Sequence, residues 1–279
     1  LSKRDGPVLL TGAGGTIGRL LGRRLAELGW NLRLTDIAPL PYAVPAGASF
    51  ELMDIENRDA VAALAEGCKL ILHFGGVSTE QSFDAILGPN FRGSFNIYEA
   101  ARANKARVVF PSSVHAVGLY ERTAVLDQEC LLRPDGYYGL SKAYGEMLAR
   151  LYWDKHEVES VVIRIGSVLP EVTDARILST WISHDDFVSL IERSADAERV
   201  GCTIVWGTSE NSASWWRGDG RETLGWTPRD SSDDQADRVR DKVTDDPIVE
   251  RYQGGKFIVV DYTRDGFVPE GMFGWIPPR

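Results

Sequence analysis

Tyr138 and Lys142 stand four residues apart, and residues 141–153, which follow, carry a helical pattern. A separation of four is about one helical turn, so the two side chains share a face. An ammonium beside a phenol favours the phenolate and draws its pKa down from about 10. Such a pair can take the proton from an alcohol. Ser113, which closes the run Arg107-Val108-Val109-Phe110-Pro111-Ser112-Ser113, lies 25 residues before Tyr138 and can hydrogen-bond the reacting oxygen. Tyrosine and lysine at this spacing are common by chance, so the trio carries weight only if other elements bring it to one place.

Those elements begin at the N-terminal end. Val8-Leu9-Leu10-Thr11 reads as a strand, Gly12-Ala13-Gly14-Gly15-Thr16-Ile17-Gly18 as a tight loop, and residues 19–28 as an amphipathic helix. A glycine-rich loop at a helix start turns backbone N–H groups and a positive helix end toward a phosphate. Gly12 permits the turn, Gly15 lets a pyrophosphate approach, and Gly18 lets helix and strand pack closely. Thr16 and Ile17, in the same loop, are cofactor-binding candidates with the glycines. A second strand, residues 32–36, ends in Asp36, 18 residues beyond Gly18. A carboxylate there accepts from ribose hydroxyls and repels a 2′-phosphate, which points to NAD rather than NADP.

Residues 49–53 read as a third strand followed by Asp54-Ile55, where an acid can bond an adenine amino group or simply cap a helix. Residues 57–66 are helical in period, residues 70–74 a strand leading into Gly75-Gly76-Val77-Ser78, and residues 83–104 a long helix entered near Gly88-Pro89. His73 lies inside an apolar strand and reads as a core histidine rather than a base. Strands alternating with helices predict an α/β fold, a Rossmann doubly wound parallel sheet. Gly12, Asp36, Asp54, Gly75 and Ser113 all fall at carboxyl ends of strands, where such sheets bind ligands. A further strand, residues 160–167, would bring Ser167 to the same side. The expected division is a cofactor-binding core over 1–168 and a small C-terminal substrate lobe over 169–279, joined in one compact unit. Within that lobe residues 230–242 read as a helix, and six of the eight tryptophans lie between Trp181 and Trp275.

The totals exclude several classes. A net charge of −9 over 279 residues argues against nucleic acid as a partner. Cys68, Cys130 and Cys202 are too few and scattered for a disulfide framework or a zinc site, so no metal is expected and a reducing, cytoplasmic compartment fits. No apolar run reaches the ~18–20 residues of a membrane span.

On Thr11-Gly12-x-x-Gly15-x-x-Gly18, Asp36, Ser113 and Tyr138-x-x-x-Lys142 the chain resembles the short-chain dehydrogenase/reductase superfamily, in its extended branch. The resemblance implies Tyr138 as proton acceptor and Lys142 as a ligand of the nicotinamide ribose. Gly75-Gly76-Val77-Ser78, Arg164-Ile165-Gly166-Ser167, the stretch 170–187, Ser214-Trp215-Trp216 and Tyr252-Gln253-Gly254-Gly255-Lys256-Phe257 look like the uronate dehydrogenases. That family implies oxidation of a cyclic hexuronic acid at C1 to an aldarolactone with NAD. It also implies, by analogy, a homo-oligomer. Arg176 is a planar cation able to hold the substrate carboxylate bidentately, although an ion pair with Asp174 or Glu171 would account for it equally. Ser78, Ser113, His115 and Ser167 supply short polar contacts for sugar hydroxyls. The family usually has Ser-Ser-Asn-His where this chain has Ser112-Ser113-Val114-His115, so a sugar contact at Val114 is lost or replaced. Other readings are a related sugar dehydrogenase, an epimerase or dehydratase that keeps its NAD, and an NAD-binding regulator without turnover.

Overall fold

The apolar strands predicted from the sequence assemble as one sheet. In the computed structural model, which describes residues 5–266, the elements run β1 (Val8–Thr11), α1 (Thr16–Glu27), β2 (Leu32–Asp36), β3 (Ser49–Leu52), α2 (Arg58–Leu64) and β4 (Leu70–His73). Then come α3 (Phe83–Ile86), a π turn (Leu87–Arg92), α4 (Gly93–Asn104), β5 (Arg107–Ser113), α5 (Tyr137–His156) and β6 (Ser160–Ile165). The remainder holds β7 (Ser167–Val168), α6 (Ile177–Thr180), β8 (Trp181–Ile182), α7 (His184–Asp196), β9 (Cys202–Gly207), α8 (Arg221–Leu224), α9 (Ala236–Val239) and α10 (Pro247–Arg251). Trp275 and the last stretch of the expected lobe lie outside the described residues.

Seven parallel strands pair in the order β3-β2-β1-β4-β5-β6-β9. The order reverses beside β1, so the crevice at the strand ends opens where β1 and β4 diverge toward their helices. Side chains alternate across the sheet with period two. Val8, Leu10, Val109, Val161 and Ile163 pack on one face with Leu21, Leu25, Phe187 and Ile191 from α1 and α7. Leu9, Val108, Phe110 and Val162 pack on the other with Ile97, Tyr98, Leu148 and Tyr152 from α4 and α5. Helices thus cover both faces, the doubly wound arrangement the sequence implies.

Three local readings change. The sheet takes its last strand, β9, from beyond residue 168, so that boundary does not separate sheet from lobe. Residues 160–167 are broken at Gly166, where a Cβ would lie 2.0 Å from the Thr180 carbonyl oxygen. Beyond it, Ser167-Val168 leaves the main sheet and pairs with Trp181-Ile182. Residues 230–242 form a short turn and the four-residue α9 rather than a long helix. Only Val239 of that segment's helical residues is buried, so no apolar face exists to hold a longer helix. No helix among the described residues is long and apolar enough to cross a membrane.

Candidate active site

One cavity of about 880 Å³ lies along the carboxyl ends of the strands. Its wall includes Gly12, Gly15, Thr16, Ile17 and Gly18 at one end and Asp36, Asp54, Ile55 and Gly75 along its length. Ser78, Ser113, His115, Tyr138 and Lys142 line the same cavity. Residues up to 130 positions apart in sequence thereby share one space. Val114, Ser167 and Arg176 are not on its wall.

At the loop, Gly12 has φ +70°, and a Cβ there would lie 2.3 Å from the Phe74 carbonyl oxygen. A Cβ at Gly18 would meet the Gly12 carbonyl oxygen at 1.9 Å. Both clashes are with backbone, so loop and helix can approach only with glycine at these points. At Gly15 a Cβ would meet only the Gly12 oxygen, at 3.3 Å, and otherwise point to open space. This is a cradle with room for a phosphate over the helix start. Asp36 is already oriented: Oδ2 accepts from the Gly14 N–H at 2.8 Å, and Oδ1 from the Ala38 N–H at 3.3 Å. Asp54 Oδ1 accepts from the Glu56 N–H, which fixes the turn into Ile55.

His73 is structural. Its Nδ1 lies 2.9 Å from Thr11 Oγ1, which also accepts from the Gly75 N–H at 3.0 Å. Burial, helped by the Lys142 charge, holds the imidazole neutral, with its pKa down at about 3. Thr11 and His73 therefore tie the end of β1 to the glycine turn after β4.

The candidate trio of Ser113, Tyr138 and Lys142 is placed by β5 and α5. Behind Ser113, the buried Arg164 donates to both oxygens of Glu146, from Nε at 3.0 Å and Nη2 at 2.9 Å. Ser112 also donates to Glu146. This buried network pins β5, β6 and α5 to one another. Ser113 hydrogen-bonds the Tyr138 side chain, which favours the phenolate. Burial is the stronger influence, and with the Asp135 charge it pushes the phenol up to about 12. Burial also pushes the Lys142 ammonium down to about 8. Lys142 Nζ sits over the rings of Tyr138 and Phe110, 5.3 and 5.6 Å from their centroids. Desolvation is the largest influence on both groups.

His115 Nδ1 lies 2.7 Å from Asp135 Oδ2, and the Asp135 side chain is wholly buried. The imidazole stacks on Phe257 with centroids 4.1 Å apart and meets the Tyr138 ring edge-on at 5.6 Å. With Nδ1 engaged, Nε2 is the nitrogen left for a ligand. Arg176 lies beneath the Gly254-Gly255 turn. Its Nε and Nη2 donate to the Gln253 carbonyl oxygen at 2.9 and 2.7 Å, and among the described residues Nη1 has no hydrogen-bond partner. Burial is the main cause that pushes its pKa down to about 10, with Arg122 acting the same way against Asp135, Asp174 and Glu250. Among the described residues it has no ion pair within 4 Å, so neither Asp174 nor Glu171 claims it; Glu171 pairs with Arg238. Ser167 Oγ lies 2.9 Å from Thr180 Oγ1. Val114 is buried in an apolar cluster with Val117, Leu126, Trp206 and Trp216.

Sequence reasoning passes over Glu80, Asn90 and Asp135. Asn90 brackets Val77, accepting from its N–H at 2.8 Å and donating to its oxygen at 3.0 Å, and also donates to Ser141 Oγ. Glu80 accepts from the N–H groups of Tyr137 and Tyr138. The one available signal was the absence of a capping side chain at Gly136, which leaves the helix start in need of an outside acceptor.

Residues 8–185 match the model of the NAD dependent epimerase/dehydratase family. The chain is 44% identical over 256 residues to the uronate dehydrogenase of Pseudomonas putida, covering 90% of this chain and 95% of that one. A crystal structure of glucuronic acid dehydrogenase from Chromohalobacter salexigens superposes with a TM-score of 0.87 at 42% identity, covering 91% and 97% of the two chains. A uronate dehydrogenase mutant from Agrobacterium tumefaciens, complexed with NAD, superposes at 0.85 and 44% identity, covering 90% and 96%.

Proposed function

This chain belongs to the NAD dependent epimerase/dehydratase family, among its uronate dehydrogenases, and on that premise we propose that it oxidises a cyclic hexuronic acid, galacturonate or glucuronate, at C1 to an aldarolactone. The observation that carries the reading is the single cavity. It joins a phosphate cradle and Asp36 to Ser113, Tyr138 and Lys142 without a break. Gly12, Gly15, Thr16, Ile17 and Gly18 would hold the pyrophosphate, Asp36 the adenosine ribose, and Asp54, Ile55 and Gly75 the adenine side. When bound, oxidised NAD supplies the hydride acceptor and a positive charge.

Tyr138 Oη takes the proton of the anomeric hydroxyl as the C1–H bond is lost as hydride, leaving the lactone carbonyl. Ser113 donates to the reacting oxygen, and Lys142, when protonated, favours the phenolate. His115, through Nε2, and Ser78 contact sugar hydroxyls. Arg176 holds the C6 carboxylate through its unengaged Nη1 edge, supported by its burial and lack of a carboxylate partner among the described residues. Ser167 is engaged by Thr180 and Val114 packs in an apolar cluster, both off the cavity wall, so neither is assigned a direct sugar contact in this reading. Exposed Phe95 on α4 with Met147 and Leu151 on α5 support a homo-oligomer, and the three free cysteines fit the cytoplasm.

The reading is tested by incubating the protein with NAD and galacturonate, glucuronate, galactose or glucose. Stoichiometric NADH and lactone with the two uronates alone are expected. Turnover of the uncharged sugars alone would remove the role given to Arg176, and epimerised sugar without net NADH would place the chain with the cofactor-retaining enzymes.

A further inference from the structure

The helix that carries Tyr138 and Lys142 starts without a cap of its own. Gly136 is extended and offers no side chain, and the first turn holds no acidic residue. Its first N–H groups are met from elsewhere in the chain. Glu80 Oε1 accepts from the Tyr137 N–H at 2.7 Å and Oε2 from the Tyr138 N–H at 2.9 Å. Glu80 is 8% exposed. A Cβ on Gly136 would lie 2.3 Å from its carboxylate, so the glycine is what admits it.

Glu80 stands two residues after Ser78, in the segment that follows β4. The same segment is gripped on its other side by Asn90, which bonds Val77 twice and Ser141 Oγ once. Ser141 Oγ in turn donates to the Tyr138 carbonyl oxygen at 2.7 Å. Segment 77–80 is thus fastened to the backbone of Tyr138 at its amide through Glu80 and at its carbonyl through Ser141 and Asn90. The circuit closes on one residue.

We propose that Glu80 is a positioning residue that locks the Ser78 segment and the backbone of Tyr138 into one unit, fixing the distance between a sugar contact and the base. It touches neither cofactor cradle nor reacting atoms. A bidentate carboxylate is the group for this task, since it satisfies two adjacent N–H donors and offsets the positive end of α5. Its burial raises its own pKa above the usual carboxylate range, while the two backbone N–H groups hold it down. The inference rests on the oxidation reading for its kinetic arm only.

The test is a double-mutant cycle of Ser78→Ala and Glu80→Ala, with Glu80→Gln as the conservative variant, each studied as the intact NAD-loaded enzyme. Glu80→Ala should lower kcat/KM for uronate by about 10- to 100-fold, the scale of a small misplacement of a reacting group. NAD affinity should stay within about twofold, because Glu80 lies off the cradle. Once Glu80 is removed, Ser78→Ala should cost clearly less than it does in the parent. Glu80→Gln, which keeps one acceptor, should recover part of the loss. In hydrogen–deuterium exchange, Glu80→Ala should raise exchange in both 77–80 and 137–142, whatever the substrate proves to be. Strict additivity in the cycle, or faster exchange in 137–142 with 77–80 unchanged, would reduce Glu80 to a helix cap and overturn the proposal. If the parent oxidises no uronate, the exchange arm decides alone.

Discussion

Replacing Lys142 with methionine should make the protein more stable and far less active. Methionine matches the length of the lysine stem and keeps its contact with Phe110 and Tyr138 while removing the charge. Burial lowers the Lys142 pKa from 10.5 to about 8. At 1.36 kcal/mol per unit, holding the ammonium in place costs the fold about 3 kcal/mol. The side chain keeps some exposure to the cavity, and solvent screening brings the figure nearer about 2 kcal/mol. The sign follows from proton linkage. Below pH 8 both folded and unfolded chains carry the charge, and the fold bears the whole cost. Between pH 8 and 10.5 the folded chain has lost the proton and the unfolded chain has not, so stability rises with pH. Urea unfolding of both proteins without NAD, from pH 6.5 to 10.5, isolates this group because every other titration is shared. The variant should be more stable at pH 6.5, with the gap closing toward pH 10.5. A variant no more stable at pH 6.5, or a gap independent of pH, would refute the reasoning. Turnover should fall by about 100-fold or more, as expected on losing a group that tunes a general base; retained turnover would remove Lys142 from the mechanism.

Two further substitutions probe the ends of the cavity. Gly18→Ala forces a Cβ to within 1.9 Å of the Gly12 carbonyl oxygen; unfolding should show a loss of about 3 kcal/mol, and calorimetric titration a weaker hold on NAD. Arg176→Met should raise KM for glucuronate about 30-fold or more, the consequence of about 2 kcal/mol lost with a buried charge contact. Its effect on glucose should be small, so the ratio of kcat/KM values for the two sugars measures the carboxylate contact directly.

The sheet was legible because its strands are short apolar runs whose alternation leaves no ambiguity about which residues face which layer. The glycine loop, Asp36, Ser113 and the tyrosine–lysine pair were legible for a related reason: each sits at a strand end or helix start, and topology alone brings such ends together. What the chain order hid were contacts between segments far apart in sequence. Nothing near Arg176 announces that the Gln253 carbonyl, 77 residues on, occupies two of its donors. Near Tyr138 only the uncapped helix start at Gly136 points toward Glu80, because a cap supplied from another segment leaves no further local pattern. Spacing also could not carry the desolvation that Tyr138 and Lys142 both undergo, since i,i+4 fixes a shared face but not burial. The helix expected over 230–242 failed because its residues have almost nothing apolar to bury.

The most direct test of the central claim is single-turnover NADH formation by Tyr138→Phe, with NAD affinity measured on the same preparation. Phenylalanine keeps the ring and its contacts with His115 and Phe257 while removing the oxygen that takes the proton. The account predicts NAD binding within about twofold of the parent and NADH formation from galacturonate or glucuronate reduced by about 1,000-fold, within the range of a lost general base. NADH formed at near the parent rate would contradict it.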